Sequence, residues 1–409
     1  MRISKLRNGI TVVTECFPSA ASVAVEIGVN YGSIDVTPKT RGMAHLIEHM
    51  LFKGTRRRGW KQIRDEIEKR GGYMNAYTTH EMTAYHALLP REHLSVAIDV
   101  LSDIFANPLF DEDEFEKEKA VVISEQNRIY DSPSDLIHFM MPTLLYRKHP
   151  VRLSFEKKEI TKSFTRKQAA KAWKNNYVGV DTTVVVTGNV SHSRVVKEIV
   201  KRLGRLRHGT ARKRAFPADS VQEKKVRIVS RKGLKESQII IGYKTCRITD
   251  MERFAVEVMA DILSVRLFDE IREKRGLSFS PHAGERLSET FGYIFGYANA
   301  SPEKEDEAKH LILDEIRIMH DGEITEKEAE ERKDFLANSY GIRVERTDEA
   351  ADEIIDNMML GRPELYKGYP NEIRKVTLKQ VKAAARKYLS PDRYAMLIIR
   401  PERSKRKGR

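Results

Sequence analysis

The residues with the clearest capacity for chemistry are His45-Leu46-Ile47-Glu48-His49. Two imidazoles stand four residues apart with a carboxylate between them. On a helix of 3.6 residues per turn, positions i and i+4 share a face, so both rings can reach one metal ion. Glu48, three residues after His45, borders that face and can hold a water beside the metal without ligating it. The order His-x-x-Glu-His is the reverse of the commoner His-Glu-x-x-His arrangement of zinc helices. The bland alternative is a pair of surface histidines beside a helix-favouring glutamate. A catalytic zinc also needs a third protein ligand and one position open to water. Glu118 and Glu125 are natural suppliers: seven residues apart on one expected helix, they point the same way, about 10 Å apart along its axis.

These side chains need rigid elements to hold them. An expected helix over 41–53, capped by Thr40 and ended by Gly54, carries the histidines. Its other residues (Met43, Leu46, Ile47, Met50, Leu51, Phe52) are mostly apolar, so both faces look buried, and polar groups there need partners. A strand with Val23, Val25, Ile27 and Val29 on one face precedes it. After a helix ending at Gly71-Gly72, runs 73–79 and 82–89 read as a hairpin, followed by a helix over 91–107. The glutamate helix spans about 113–130, capped by Asp111 or Asp113.

The chain has 409 residues, 40% hydrophobic and 32% charged, which describes a globular protein of two or more domains. No run approaches the roughly 20 apolar residues of a membrane span, so no membrane partner is expected. The basic N-terminus has no apolar segment behind it, and Cys16 and Cys246 are the only cysteines, so a cytoplasmic location is expected. A net charge of +14 raises the question of nucleic acid, but no recognition motif or basic run interleaved with aromatics is present. Nucleic acid is therefore not an expected partner.

The halves resemble one another at a spacing of about 211 residues. Thr165-Arg-Lys-Gln leads to Tyr177, Asp181 and an apolar strand; Thr377-Leu-Lys-Gln leads to Tyr388, Asp392 and another. The expected fold is α+β: two tandem homologous domains, each a mainly antiparallel sheet packed with helices. Residues 1–205 form the first, 206–222 a basic linker, 223–400 the second, and 401–409 a basic tail. In the second copy the stretch matching the histidine helix, Phe254 to Asp261, has no histidine pair.

With both halves in view, the chain resembles the M16 (pitrilysin) metallopeptidases, most closely the two-domain members related to the mitochondrial processing peptidase. The resemblance rests on His45-x-x-Glu48-His49, on Glu125 lying 76 residues after His49, and on Glu118 seven residues before Glu125. It implies one Zn²⁺ per chain held by His45, His49 and Glu125, with Glu48 as general base and Glu118 assisting behind the ligands. Gly71-Gly72, Asn75-Ala76-Tyr77-Thr78 and Thr83-Ala84-Tyr85 look like the family's active-site edge strand, which implies substrate contacts at Asn75, Ala76, Tyr77, Thr78 and Tyr85. An Arg and a Tyr of the family's second domain contact substrate. Here Arg272 matches, but the Tyr position is Phe279, without a hydroxyl. The implied activity is hydrolysis of short or unfolded peptides in a chamber built by two chains, as a homodimer or a heterodimer with a related M16 subunit. Phe279 leaves a second expectation: an assembly subunit of the same fold with weak or no activity, or a zinc subunit that needs its partner.

Overall fold

The computed structural model describes residues 1–402 apart from 155, 218, 220 and 221. The expected tail beyond 402, and those four positions, lie outside the described residues. Two compact units emerge. Residues 1–126, 156–214 and 340–368 form unit 1; residues 127–155, 215–339 and the described part of 369–409 form unit 2.

Unit 1 holds strands β1 (Arg2–Lys5), β2 (Thr11–Cys16), β3 (Ser22–Val29), β4 (Tyr73–Thr78), β5 (Thr83–Pro90) and β6 (Thr182–Gly188), in the order β1-β2-β6-β3-β5-β4. Only β2 and β6 run parallel. Unit 2 holds β7 (Lys225–Arg231), β8 (Ser237–Lys244), β9 (His282–Leu287), β10 (Gly292–Ala300) and β11 (Ala395–Pro401), in the order β7-β11-β8-β10-β9, with β7 and β11 parallel. Without β1 the two orders coincide, so the repeat is one of topology as well as sequence. β1 escapes a sequence reading because it is a mostly exposed edge with no apolar alternation.

The repeated Thr-x-x-Gln is a capping box in both units. Thr165 and Thr377 accept the backbone N–H of Gln168 and Gln380, whose side chains accept the threonine N–H in return. Each box starts a helix that delivers the chain to a strand inside its sheet, β6 or β11.

Each sheet has two apolar faces, because its inner strands are buried on both sides. In unit 1, Val23, Val25, Ile27 and Val29 of β3 pack with the histidine helix (Met43–Leu51) and the Leu94–Ala106 helix. Ala24 and its neighbours Val13, Ala84 and Val185 pack on the opposite side, against Ala350, Ala351, Ile354 and Ile355 of the Thr347–Met359 helix. That approach is close: a Cβ on Gly28 would lie 2.6 Å from Ile355 Cδ1. In unit 2 the Pro133–Leu145 helix covers the corresponding face of β8, and a Cβ on Gly242 would lie 2.9 Å from Met141 Sδ. The contiguous domains read from the sequence are thus corrected. Each half of the chain gives one helix to the other half's sheet, because a sheet with two apolar faces needs cover on both. Residues 206–214 are also part of unit 1 rather than linker: Arg212 N–H bonds Asp181 Oδ1 at 3.0 Å, and Arg214 pairs with Asp35 at 2.7 Å.

Candidate metal centre

The histidine helix starts two residues later than expected. Gly42, at φ 88°, stands at its N-cap, and Thr40 caps nothing; its hydroxyl accepts the N–H of Thr37. Met43, Ala44, Leu46, Ile47, Met50 and Leu51 anchor the helix in the core, so the ring positions are fixed by packing. The glutamate helix (Glu112–Asp131) begins at Asp111, which accepts the N–H groups of Asp113 and Glu114. Phe115 and Val122, both fully buried, set its rotation and turn Glu118 and Glu125 toward the histidines.

The geometry is that of a three-donor site. His45 Nε2 and His49 Nε2 are 3.3 Å apart, and Glu125 Oε2 lies 3.4 Å from the first and 3.5 Å from the second. Ligand atoms 2.0–2.1 Å from a tetrahedral zinc stand about 3.3–3.4 Å from one another, so the triangle fits that ion without rearrangement. The local charge balance agrees. Burial alone disfavours a charged His45, yet hydrogen bonds it donates to Glu125 and Glu156 raise its pKa to about 10. The carboxylates favour a positive charge beside them, on the ring or on a bound cation. Glu125 is the most open of the three, with its side chain 36% exposed, which leaves a side for water and substrate.

Groups behind the ligands orient them. His49 Nδ1 lies 3.0 Å from Glu118 Oε2, and Lys53 Nζ lies 2.8 Å from Glu118 Oε1. Burial pushes the Glu118 carboxyl up, but His49 and Lys53 together hold it below its ordinary value. On the other ring, His45 Nδ1 lies 3.4 Å from Glu156 Oε2, which accepts a hydrogen bond from Gln126 Nε2 at 2.8 Å. Glu156 and Gln126 were not predicted. Glu156 is 111 residues from His45 and sits outside any helix or strand, so no periodicity marks it. Glu48 is buried, and its Oε2 accepts a 2.5 Å hydrogen bond from Thr78 on β4. Burial raises its pKa, against the pull of Thr78 and the two histidines, which makes it a stronger base than an ordinary carboxylate.

The remaining expected residues divide. β4 is an edge strand; Ala76 and Thr78 face the histidine helix side, while Asn75 and Tyr77 face the other. Tyr85 is corrected as a substrate contact: it is fully buried and hydrogen-bonded to Tyr177 at 2.8 Å, a packing role. Arg272 belongs to unit 2, in a π-helical turn, Phe268–Glu273, with its guanidinium over the rings of Phe268 and Phe279. Phe279 is 75% exposed. Among the described residues no helix is long and apolar enough to cross a membrane.

Comparison with known proteins identifies the family. Residues 11–159 match the family model of insulinase (peptidase family M16), and residues 163–336 that of the peptidase M16 inactive domain. The uncharacterized zinc protease YmxG of Bacillus subtilis is 28% identical over 97% of both chains. The uncharacterized zinc protease ML0855 of Mycobacterium leprae is 30% identical, covering 98% of this chain and 92% of its own. Among solved structures, a protease from Helicobacter pylori superimposes with a TM-score of 0.91 at 19% identity, over 98% of this chain and 99% of that one. The chain belongs to peptidase family M16.

Proposed function

We propose that this protein is a zinc-dependent endopeptidase whose metal is held by His45, His49 and Glu125. The observation that carries this reading is the triangle of donor atoms 3.3–3.5 Å on a side, with the Glu48 carboxylate held beside it by Thr78. Bound zinc supplies Lewis acidity and brings the pKa of a water toward about 7. With zinc bound, Glu48 would be placed to accept a proton from a water attacking the scissile carbonyl carbon. It returns the proton to the amine nitrogen as the C–N bond breaks. Thr78 keeps the carboxylate in place through this exchange. Glu118 and Glu156 hold the imidazoles in the tautomer that presents Nε2.

The peptide adds as a strand to the open edge of β4, pairing by main-chain hydrogen bonds along Asn75–Thr78. Recognition through backbone makes specificity broad and favours short or unfolded peptides. Arg272 and Phe279 remain proposed substrate contacts, and a homodimer or a pair with a related M16 subunit is the proposed assembly. The test is Glu48→Gln, which should keep zinc and lose about 10²–10⁴-fold in peptide hydrolysis. Undiminished hydrolysis by that variant overturns the assignment. The exposed Phe279, where the family carries Tyr, favours a second reading, a zinc subunit that needs a partner. It predicts that the purified chain binds zinc yet cleaves a quenched peptide only after a related subunit is added.

A further inference from the structure

The face of the unit 1 sheet opposite the histidine helix contains a second constellation. Its setting is apolar: Val13, Ala24, Ala84 and Val185 against Ala350, Ile354 and Ile355. Within this layer Glu26 of β3 and His86 of β5 are direct cross-strand partners, so their side chains leave the sheet together. Asp352 comes down from the Thr347–Met359 helix, and one donor atom from each of the three residues lies within 4.8 Å of the others. Tyr77 of β4 donates to Glu26 Oε1 at 2.7 Å and fixes that carboxylate's orientation.

The charge balance here is incomplete. Glu26 is 0% exposed, and its Oε2 is buried with no hydrogen-bond partner; His86 Nδ1 is likewise buried and unpartnered. Asp356, one turn beyond Asp352, adds another carboxylate that burial pushes up to about 7. Among the described residues no lysine or arginine forms an ion pair with Glu26, Asp352 or Asp356; the nearby Asp348 is held by Arg346. Carboxylates gathered in an apolar layer without a cation must either keep protons or bind a metal. Shared protons would account for the carboxyls alone. They leave His86, one ring nitrogen of which lies within 4.8 Å of a carboxylate oxygen of both Glu26 and Asp352, without a role.

We propose that Glu26, His86 and Asp352 form a second divalent-metal site, which takes a transition-metal ion such as zinc and pins the Thr347–Met359 helix to the sheet behind the edge strand. Two carboxylates and one imidazole suit such an ion. The Tyr77 hydroxyl serves as the supporting hydrogen bond that metal-ligating carboxylates usually have. The site is independent of the histidine-helix centre, since no residue is shared and the sheet itself lies between them.

Metal content of the full chain tests this, with zinc as the probe. The chain is dialysed against buffered free zinc, freed of excess by gel filtration and analysed by elemental mass spectrometry. Wild type should carry two zincs per chain. Glu26→Gln and Asp352→Asn, which keep side-chain shape and remove only charge, should each carry one. The double variant His45→Ala/His49→Ala should also carry one, and adding zinc to it should raise its melting temperature. Adding Asp352→Asn to that variant should abolish the rise. One zinc per wild-type chain, unchanged by Asp352→Asn, overturns the proposal and leaves a proton-sharing carboxyl cluster. Failure of the histidine-helix centre reads differently: zinc content then falls with Asp352→Asn but not with His45→Ala/His49→Ala.

Discussion

The two units present the same frame with different fillings. In unit 1 the histidine helix packs beside edge strand β4, and in unit 2 the Arg253–Leu267 helix packs beside edge strand β9. At the i and i+4 positions the first carries His45 and His49, the second Glu257 and Asp261. From the edge strand, Thr78 donates to Glu48 in unit 1, whereas unit 2 puts the Glu285 carboxyl near Glu257. Two of the second set face protein cations: Arg253 lies 3.6 Å from Glu257, and Arg332 lies 3.5 Å from Asp261. Unit 1 places two imidazoles and the Glu125 carboxylate around a common point, and its lysine, Lys53, pairs with Glu118 behind His49. Unit 2 fills the corresponding place with arginine. A repeated scaffold therefore does not repeat its donor set; the residue types carried at the same helix positions decide it.

Exchanging donors should break this contrast most sharply. His49→Ala should remove zinc from the first centre and abolish peptide hydrolysis, while Asp261→Asn in unit 2 should leave zinc content unchanged; elemental analysis and a quenched-peptide assay read both. Next in size is Glu118→Gln, expected to weaken zinc affinity about 10–100-fold by loosening His49, as such supporting partners do elsewhere. Glu156→Gln should cost less, because its contact with His45 is longer, 3.4 Å against 3.0 Å. Competition with a chromogenic chelator ranks the two.

A pH experiment probes unit 2. Burial, reinforced by Glu257, raises the Glu285 pKa from 4.5 to about 7. Below 4.5 both folded and unfolded chains hold this proton. Between 4.5 and 7 only the folded chain does, so this group makes stability fall as pH rises through that window. Glu285→Gln should remove that part of the slope and raise stability at pH 8 by on the order of 1 kcal/mol, measured by denaturant unfolding. The smallest expected effect is Phe279→Tyr. The residue is exposed, and restoring a hydroxyl there should raise kcat/KM a few-fold at most unless the second reading holds, in which case activity of the isolated chain should appear only with this change.

Much of the candidate site was legible because its spacing is local. His45, Glu48 and His49 share a helix face by arithmetic alone, as do Glu118 and Glu125, and Thr165-x-x-Gln168 announces its own cap. Apolar neighbours on both sides of the histidine helix likewise marked it as buried. What the sequence could not supply were pairings between distant segments: Glu156 behind His45, Tyr85 turned inward to Tyr177, and Asp352 brought to Glu26. Nor could it show that residues 133–145 and 347–359 each complete the other half's sheet. Periodicity reports which side chains share a face, but which face meets which is settled by burying every apolar surface at once. That requirement belongs to the tertiary structure, and it is what places the histidines on one side of the unit 1 sheet and a second set of donors on the other.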